Sequence, residues 1–171
     1  MKIAVTGHTV GLGKAFFDYY SSSGHQVLGF SRQNGFDLRD WSCLQRLLDC
    51  TDGYDLLISN AKPDFFQAVL LYEMARRTKR VRQVISIGSL IINLNIPQDQ
   101  PLGFNLYKTQ KLALRDAHIQ LTKKYNDFDS VLVHPSHLYD NDQIDYVKLA
   151  QWIGRLEDAM KTNINNEIYV N

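Results

Sequence analysis

Tyr107 and Lys111 stand four residues apart in the segment Tyr107-Lys108-Thr109-Gln110-Lys111. On a helix that spacing puts both side chains on one face, one turn apart. A phenol with an ordinary pKa near ~10 is too weak an acid to trade protons at neutrality. An ammonium within ~4–6 Å can lower an acidic group by ~1–3 units. The pair could therefore work as a general acid/base, with Tyr107 moving the proton and Lys111 supplying the field. Upstream stand two further features: a serine in the segment Ser86-Ile87-Gly88-Ser89, and a glycine-rich stretch from Thr6 to Gly13, TGHTVGLG.

The glycine stretch follows a short apolar run, Lys2–Thr6, and precedes a helical pattern. A chain that turns sharply from strand into helix, with glycines at 7, 11 and 13, lets a pyrophosphate approach its backbone. The helix N-terminus then presents free N–H groups and the positive end of its dipole. Gly13 is expected to allow close helix–strand packing.

The rest of the chain alternates strand and helix signals. Strands are expected at Lys2–Thr6, Gln26–Ser31, Tyr54–Ser59, Arg82–Ile87 and Ser130–His134, with Phe36–Leu38 as a very short third strand and Glu167–Val170 as a last one. Helices are expected at Gly11–Ser22, Asp40–Cys50, Asp64–Thr78, Asn105–Tyr125 and Asp145–Met160. Leu90–Phe104, with two prolines and no period, reads as a loop. Repeated β-α-β units with short links call for an α/β fold, a doubly wound, Rossmann-like parallel sheet with helices on both faces. The expected strand order is 3-2-1-4-5-6, with room for a seventh. Ligands bind beyond the carboxyl ends of such strands, where Gly7, Asn60, Ser89 and Pro135 fall.

The ordered set of TGxxxGxG, Ile-Gly-Ser and YxxxK resembles the short-chain dehydrogenase/reductase family from Lys2 to about His137. The resemblance implies NAD(P)(H)-dependent interconversion of a carbonyl and an alcohol by hydride transfer. It assigns Ser89, Tyr107 and Lys111 to catalysis: Ser89 holds the substrate oxygen, Tyr107 is the acid/base, and Lys111 also grips the nicotinamide ribose. Ser86 is expected to point into the sheet layer. At the glycine turn the cofactor positions are Gly7, Thr9, Val10, Gly11, Leu12 and Gly13. Further on they are Ser31 and Arg32, then Asp37 and Leu38, which meet the adenine in the family's D-x-x-D segment. Asp40, the second carboxylate of that segment, can also cap the following helix. Asn60, Ala61 and Lys62 stand for the N-A-G element, with lysine in place of its glycine. Pro135, Ser136 and Leu138 follow the sixth strand of the pattern. No carboxylate ends the second strand, and Arg32 can fork onto a 2′-phosphate, so NADP(H) is favoured over NAD(H).

The sequence departs from the family in several places. Ser89 lies 18 positions before Tyr107, further than usual. No asparagine matches the family's catalytic Asn, which leaves that proton-relay position empty or water-filled. The Pro-Gly pair is Pro135-Ser136, and Asp140 stands near the place of the family's threonine. His137 and Tyr139 are candidates for the substrate mouth, although ordinary loop residues are the simpler reading. The short chain leaves no room for a substrate lid, so an open site that a partner subunit completes is expected. An inactive nucleotide-binding sensor or scaffold, and an epimerase or dehydratase with transient cofactor use, remain alternatives.

Bulk properties agree with one domain covering residues 1–171. The apolar fraction of 44% and charged fraction of 22% are ordinary for a globular protein, and a net charge of +1 gives no field to draw nucleic acid or membrane. No apolar run reaches the ~20 residues of a membrane helix, and the N-terminus has no signal-peptide pattern. A cytoplasmic location follows by default. Cys43 and Cys50 lie too far apart on one helix for a disulfide, and no ligand spacing suggests a metal. The basic run Arg76, Arg77, Lys79, Arg80 and Arg82 reads as a solvated helix end. Phe65, Phe66, Val69 and Tyr72 give the helix after Asn60 more apolar surface than one sheet face covers. With the family's habit of pairing through that helix and the Tyr-Lys helix, a homodimer or homotetramer is expected.

Overall fold

The computed structural model describes residues 1–77, 81–97, 100–125, 127, 129–135, 145–159 and 167–170. Among them, six parallel strands form one sheet: β1 (Lys2–Thr6), β2 (Gln26–Phe30), β3 (Leu56–Ser59), β4 (Gln83–Ile87), β5 (Asp129–Pro135) and β6 (Glu167–Val170). Their order is β2-β1-β3-β4-β5-β6. Helices α2 (Trp41–Cys50), α3 (Phe66–Ala75) and α4 (Leu102–Lys124) cover one face, and α1 (Gly11–Ser22) and α5 (Tyr146–Ala159) the other.

Strand composition explains the two-sided burial. Ala4, Leu57, Val84 and Leu132 enter the core under α2–α4, while Ile3, Val5, Ile58, Ile85, Val131 and Val133 enter the core under α1 and α5. A sheet covered on both sides needs such continuous apolar runs. The neighbouring registers set the strand tips level: Thr6 lies opposite Phe30, and Ser59 opposite Ser86. The loops that leave those tips share one rim of the sheet.

Phe36–Leu38 does not form a third strand. Arg32–Asn34 instead makes one turn of 3-10 helix, closed by a Ser31/Asn34 capping box and by Gly35 at φ +82°. Phe36 then folds edge-on against Phe30, with ring centroids 4.8 Å apart, and Arg46 covers its other side. These apolar residues complete the core instead of lengthening the sheet, so β2 is its edge. The expected order is otherwise kept, with the predicted seventh strand as β6.

Leu90–Phe104 is less irregular than expected. Leu90–Asn93 is a 3-10 turn that buries Ile91 and Ile92, and α4 begins at Leu102, three residues before the predicted start. Phe66 is a core residue, so the exposed apolar stripe of α3 is Phe65, Val69 and Tyr72. Cys43 is buried and Cys50 exposed, both as free thiols. Within the basic run, Arg76 pairs with Glu73, Arg77 with Asp49, and Arg82 with Asp55; Lys79 and Arg80 lie outside the described residues. No helix among the described residues is long and apolar enough to cross a membrane.

Candidate active site

A cleft of about 1040 Å³ runs along the carboxyl rim of the sheet, from Arg32 and Arg39 at one end, past the glycine turn, to Ser89, Tyr107 and Lys111 at the other. Every described residue of the predicted site except Gly13 lines it. Gly13 lies behind it for a steric reason: a Cβ there would sit 2.1 Å from Gly7 O and 2.5 Å from Asn60 Nδ2. Ser136 and Leu138, with His137, Tyr139 and Asp140, lie outside the described residues.

The glycine turn leaves β1 through Gly7 at φ +69° and enters α1 through Gly11 at φ +54°. A Cβ on Gly11 would meet open space, so its requirement is conformational. Thr6 locks the turn to the next loop. Its Oγ1 accepts from the backbone N–H of both Asn60 and Ala61 at 3.0 Å. This threonine role was not read from the sequence, though Thr6 opens the motif. Helix α1 has no side-chain cap at Val10 and no acidic residue in its first turn. Its leading N–H groups are therefore left for an anion. An open-backed turn, uncapped amides and a nearby arginine fit the diphosphate and ribose groups of a nicotinamide dinucleotide.

At the far end Ser31 is held by Asn34, which accepts from Ser31 N at 2.8 Å and donates to Gly29 O at 2.6 Å. Asp37 carries a double contact from Arg39, Nη2–Oδ2 2.7 Å and Nε–Oδ1 3.0 Å. Hydrogen bonds from Arg39 hold the Asp37 carboxyl down at about 2. Arg32 is exposed on the cleft wall and forms no ion pair among the described residues. Asp40 takes the capping role, accepting from Ser42 N at 2.8 Å.

The chemistry-bearing end is built by β4 and α4. Ser89 follows β4, and its Oγ accepts from Ile91 N at 3.3 Å. Tyr107 and Lys111 face the same cleft from successive turns of α4. Burial raises the Tyr107 pKa, and a hydrogen bond with the Ser89 side chain offsets part of that rise. Lys111 does not produce the expected lowering. Only 3% exposed, it is itself brought down to about 7, first by burial and then by the charge of Lys62. Its Nζ donates to Gln67 Oε1 and Ile87 O, each at 2.7 Å, and lies 5.6 Å from the Tyr107 ring centroid. Lys62 approaches the same ring at 5.0 Å. Ser86 is fully buried with its Oγ unpartnered, turned into the sheet layer as expected.

Sequence reasoning missed Gln67. This α3 side chain donates from Nε2 to Ser59 O at 2.5 Å and Ile87 O at 3.1 Å, and its Oε1 accepts from Lys111. One signal was present: Gln67 is the lone polar residue in the run FFQAVLLY. His134, buried in β5 beside the Ser89 backbone, was also missed, although a histidine is equally out of place in SVLVHP.

No family model and no curated protein matches the sequence. Solved structures do match. A short-chain dehydrogenase/reductase from Vibrio parahaemolyticus aligns at TM-score 0.72 with 16% identity, covering 100% of this chain and 99% of the other. A 3-alpha-hydroxysteroid dehydrogenase from a Pseudomonas species, complexed with NADH, aligns at 0.74 with 19% identity, over 99% and 94%. A yeast methylglyoxal/isovaleraldehyde reductase, complexed with NADPH, aligns at 0.73 with 12% identity, over 100% and 78%. The sheet order, the glycine turn and the cleft along the strand tips, together with these alignments, show that the chain has the fold of the short-chain dehydrogenases/reductases.

Proposed function

We propose that this protein is a nicotinamide-dependent oxidoreductase that interconverts a carbonyl and an alcohol, with NADP(H) preferred. One observation carries the reading: Ser89, Tyr107 and Lys111 open onto the same cleft as an uncapped glycine turn. The similar folds of proteins complexed with NADH and NADPH support a nicotinamide cofactor.

The glycine turn, from Gly7 to Leu12, would hold the diphosphate, and Asn60 and Ala61 the adjoining ribose. Arg32 would take the 2′-phosphate, which is the basis for preferring NADP(H). Asp37 and Leu38 would flank the adenine, and Lys62, Pro135, Ser136 and Leu138 the nicotinamide half. A nicotinamide cofactor held there would supply a hydride to the carbonyl carbon, or take one from the alcohol in the reverse direction. Ser89 Oγ donates a hydrogen bond to the substrate oxygen and orients it. Tyr107 gives its phenolic proton to that oxygen as negative charge develops there, and in the reverse direction takes it back. Lys111, whose amine Gln67 and Ile87 O keep at the cleft floor, would grip the nicotinamide ribose, and a proton from solvent would restore Tyr107 after each reduction.

The reading extends to a single domain carrying both sites and to a cytoplasmic protein that binds neither nucleic acid nor membrane. A homodimer or homotetramer formed through α3 and α4 would cover Phe65, Val69 and Tyr72.

Assaying the protein with NADPH and NADH against ketones, aldehydes and quinones tests the reaction. Turnover is expected, with Tyr107→Phe abolishing it; a Tyr107→Phe variant as fast as wild type would overturn the assigned chemistry. A second reading, a sensor that binds the nucleotide without turnover, is favoured by the raised Tyr107 and lowered Lys111 pKa values. Tight NADPH binding with no turnover across the panel would select it.

A further inference from the structure

Beyond Gly88 the chain leaves the sheet. Gly88 N still donates to Val133 O at 2.7 Å, but Ser89 has no ladder partner of that kind among the described residues. A side chain takes over. His134, fully buried at the end of β5, brings Nδ1 to 3.2 Å from Ser89 N and 3.1 Å from Ser89 O. The approach depends on Gly88, because a Cβ there would sit 2.5 Å from His134 Nδ1.

The other side of the ring is clamped. His134 Nε2 is 2.8 Å from Glu167 Oε1 on β6. Arg115 of α4 grips the same carboxylate with two bonds, Nε–Oε1 at 2.5 Å and Nη2–Oε2 at 3.1 Å. The Tyr169 hydroxyl adds a fourth bond to the carboxylate at 2.9 Å, and its ring stacks on His134 at 4.8 Å. Burial works against the Glu167 charge, but hydrogen bonds from Arg115, Tyr169 and His134 outweigh it and keep the group ionised. An ionised carboxylate requires the proton on Nε2. In the neutral imidazole Nδ1 is then the acceptor, so the Ser89 N–H donates to it, and the 3.1 Å approach to Ser89 O is a close contact and not a hydrogen bond. Arg115 is also one helical turn beyond Lys111 and two beyond Tyr107. Helix α4 thus carries Tyr107 and the root of the clamp on one face.

We propose that His134, fixed by Glu167 and Arg115, is a positioning residue that sets the backbone of Ser89 and so the aim of its hydroxyl at the reacting oxygen. The catalytic half of this statement rests on the carbonyl–alcohol reading above; the backbone half does not. A hydroxyl that orients a reacting group loses its effect when displaced by about an ångström, at a cost near 100-fold.

Two substitutions separate positioning from packing. His134→Phe keeps a ring to stack on Tyr169 but has no acceptor. His134→Asn places an amide oxygen where Nδ1 stood and gives up the contact with Glu167. Solvent exchange of the Ser89 amide, followed by NMR in the cofactor-free protein, is expected to quicken in His134→Phe and to stay slow in His134→Asn. With a substrate in hand, kcat should fall about 10- to 100-fold in His134→Phe while NADPH affinity holds, and His134→Asn should recover most of the loss. A folded His134→Phe with unaltered Ser89 exchange and kcat overturns the proposal. If His134→Phe does not fold, Glu167→Gln decides: it frees the imidazole tautomer, so exchange should quicken and kcat fall, and no change in either refutes the assignment. A wild-type protein without turnover would sink the reaction and leave the His134–Ser89 linkage to be judged by exchange alone.

Discussion

Lys111 Nζ lies 2.7 Å from Gln67 Oε1 at the floor of the cleft, and the amide of Gln67 is tied in turn to Ser59 O and Ile87 O. One side chain from α3 thus joins the tips of β3 and β4 to the amine of α4. Removing it strands buried polar groups, and each such group costs ~1–3 kcal/mol. Gln67→Leu is therefore expected to lower the unfolding free energy by about that amount. Given the proposed chemistry, it should also reduce kcat by up to about 100-fold, the scale of loss when a reacting group is misplaced by about an ångström. Chemical denaturation and steady-state kinetics on the same preparation check both.

Lys62 bears on Lys111 through charge alone. Two ammonium groups flank the Tyr107 ring, at 5.0 and 5.6 Å, and the charge of Lys62 helps to bring Lys111 down to about 7. Lys62→Met removes a like charge that disfavours the protonated amine. The Lys111 pKa should rise above its wild-type value, though not to 10.5, because burial is the larger cause. NMR titration of the lysine Nζ in the cofactor-free protein reads the shift, and an unmoved or lower value would contradict the coupling.

The same group gives stability a definite pH dependence. Its folded pKa, about 7, lies below the ordinary 10.5. Between those values the unfolded chain holds a proton that the folded chain has shed, so stability rises with pH across that window. Below pH 7 both states are protonated and the penalty of the buried charge is fully present. Compared with Lys111→Met, the wild type should gain denaturation midpoint steadily from pH 7 to 10. A flat difference would mean that Lys111 keeps its proton in the folded state.

How much of this was legible in the sequence depended on what each residue answers to. Gly7, Gly11 and Gly13 sit in one local turn whose geometry their spacing dictates, and Tyr107 and Lys111 share a helix face by periodicity. Local rules suffice for such residues, and the strands, with their two-sided apolar runs, follow them too. Gln67 and His134 act across elements, reaching strand tips through registers that no local pattern specifies. Each showed only as a polar residue out of place. Phe36–Leu38 misled because its apolar residues satisfy the core edge-on beside Phe30, a demand that a strand would meet equally well. Tyr107's pKa failed to follow the Tyr–Lys spacing because burial acts on both partners, and burial is a property of the assembled cleft.

Arg32 stands exposed on the cleft wall beyond β2, and no carboxylate ends that strand. Its neighbour Arg39 is already committed to Asp37. Arg32→Ala should therefore weaken NADPH binding by about tenfold or more, in line with the ~1.5–3 kcal/mol of a hydrogen bond to a charged group. NADH lacks the 2′-phosphate and should bind almost unchanged. Titrating both nucleotides by fluorescence measures the ratio; equal losses would show that Arg32 reads something other than that phosphate.

Gly11 and Gly13 separate two reasons for a glycine, two positions apart in one turn. At Gly13 an added Cβ would press on backbone, 2.1 Å from Gly7 O, where no flexible end can give way. Gly13→Ala must push α1 off β1 and is expected to destabilise the fold by ~1–3 kcal/mol or more, as overpacking does. At Gly11 the Cβ would enter open space, and the cost is the positive φ of +54°, on the order of 1–2 kcal/mol. That open space is where a diphosphate must come close to the backbone. Gly11→Ala should therefore leave a protein that folds with a modestly lower midpoint but binds NADPH many-fold more weakly. Melting curves set beside nucleotide titrations decide it: a Gly11→Ala protein with full nucleotide affinity would place the diphosphate somewhere other than this turn.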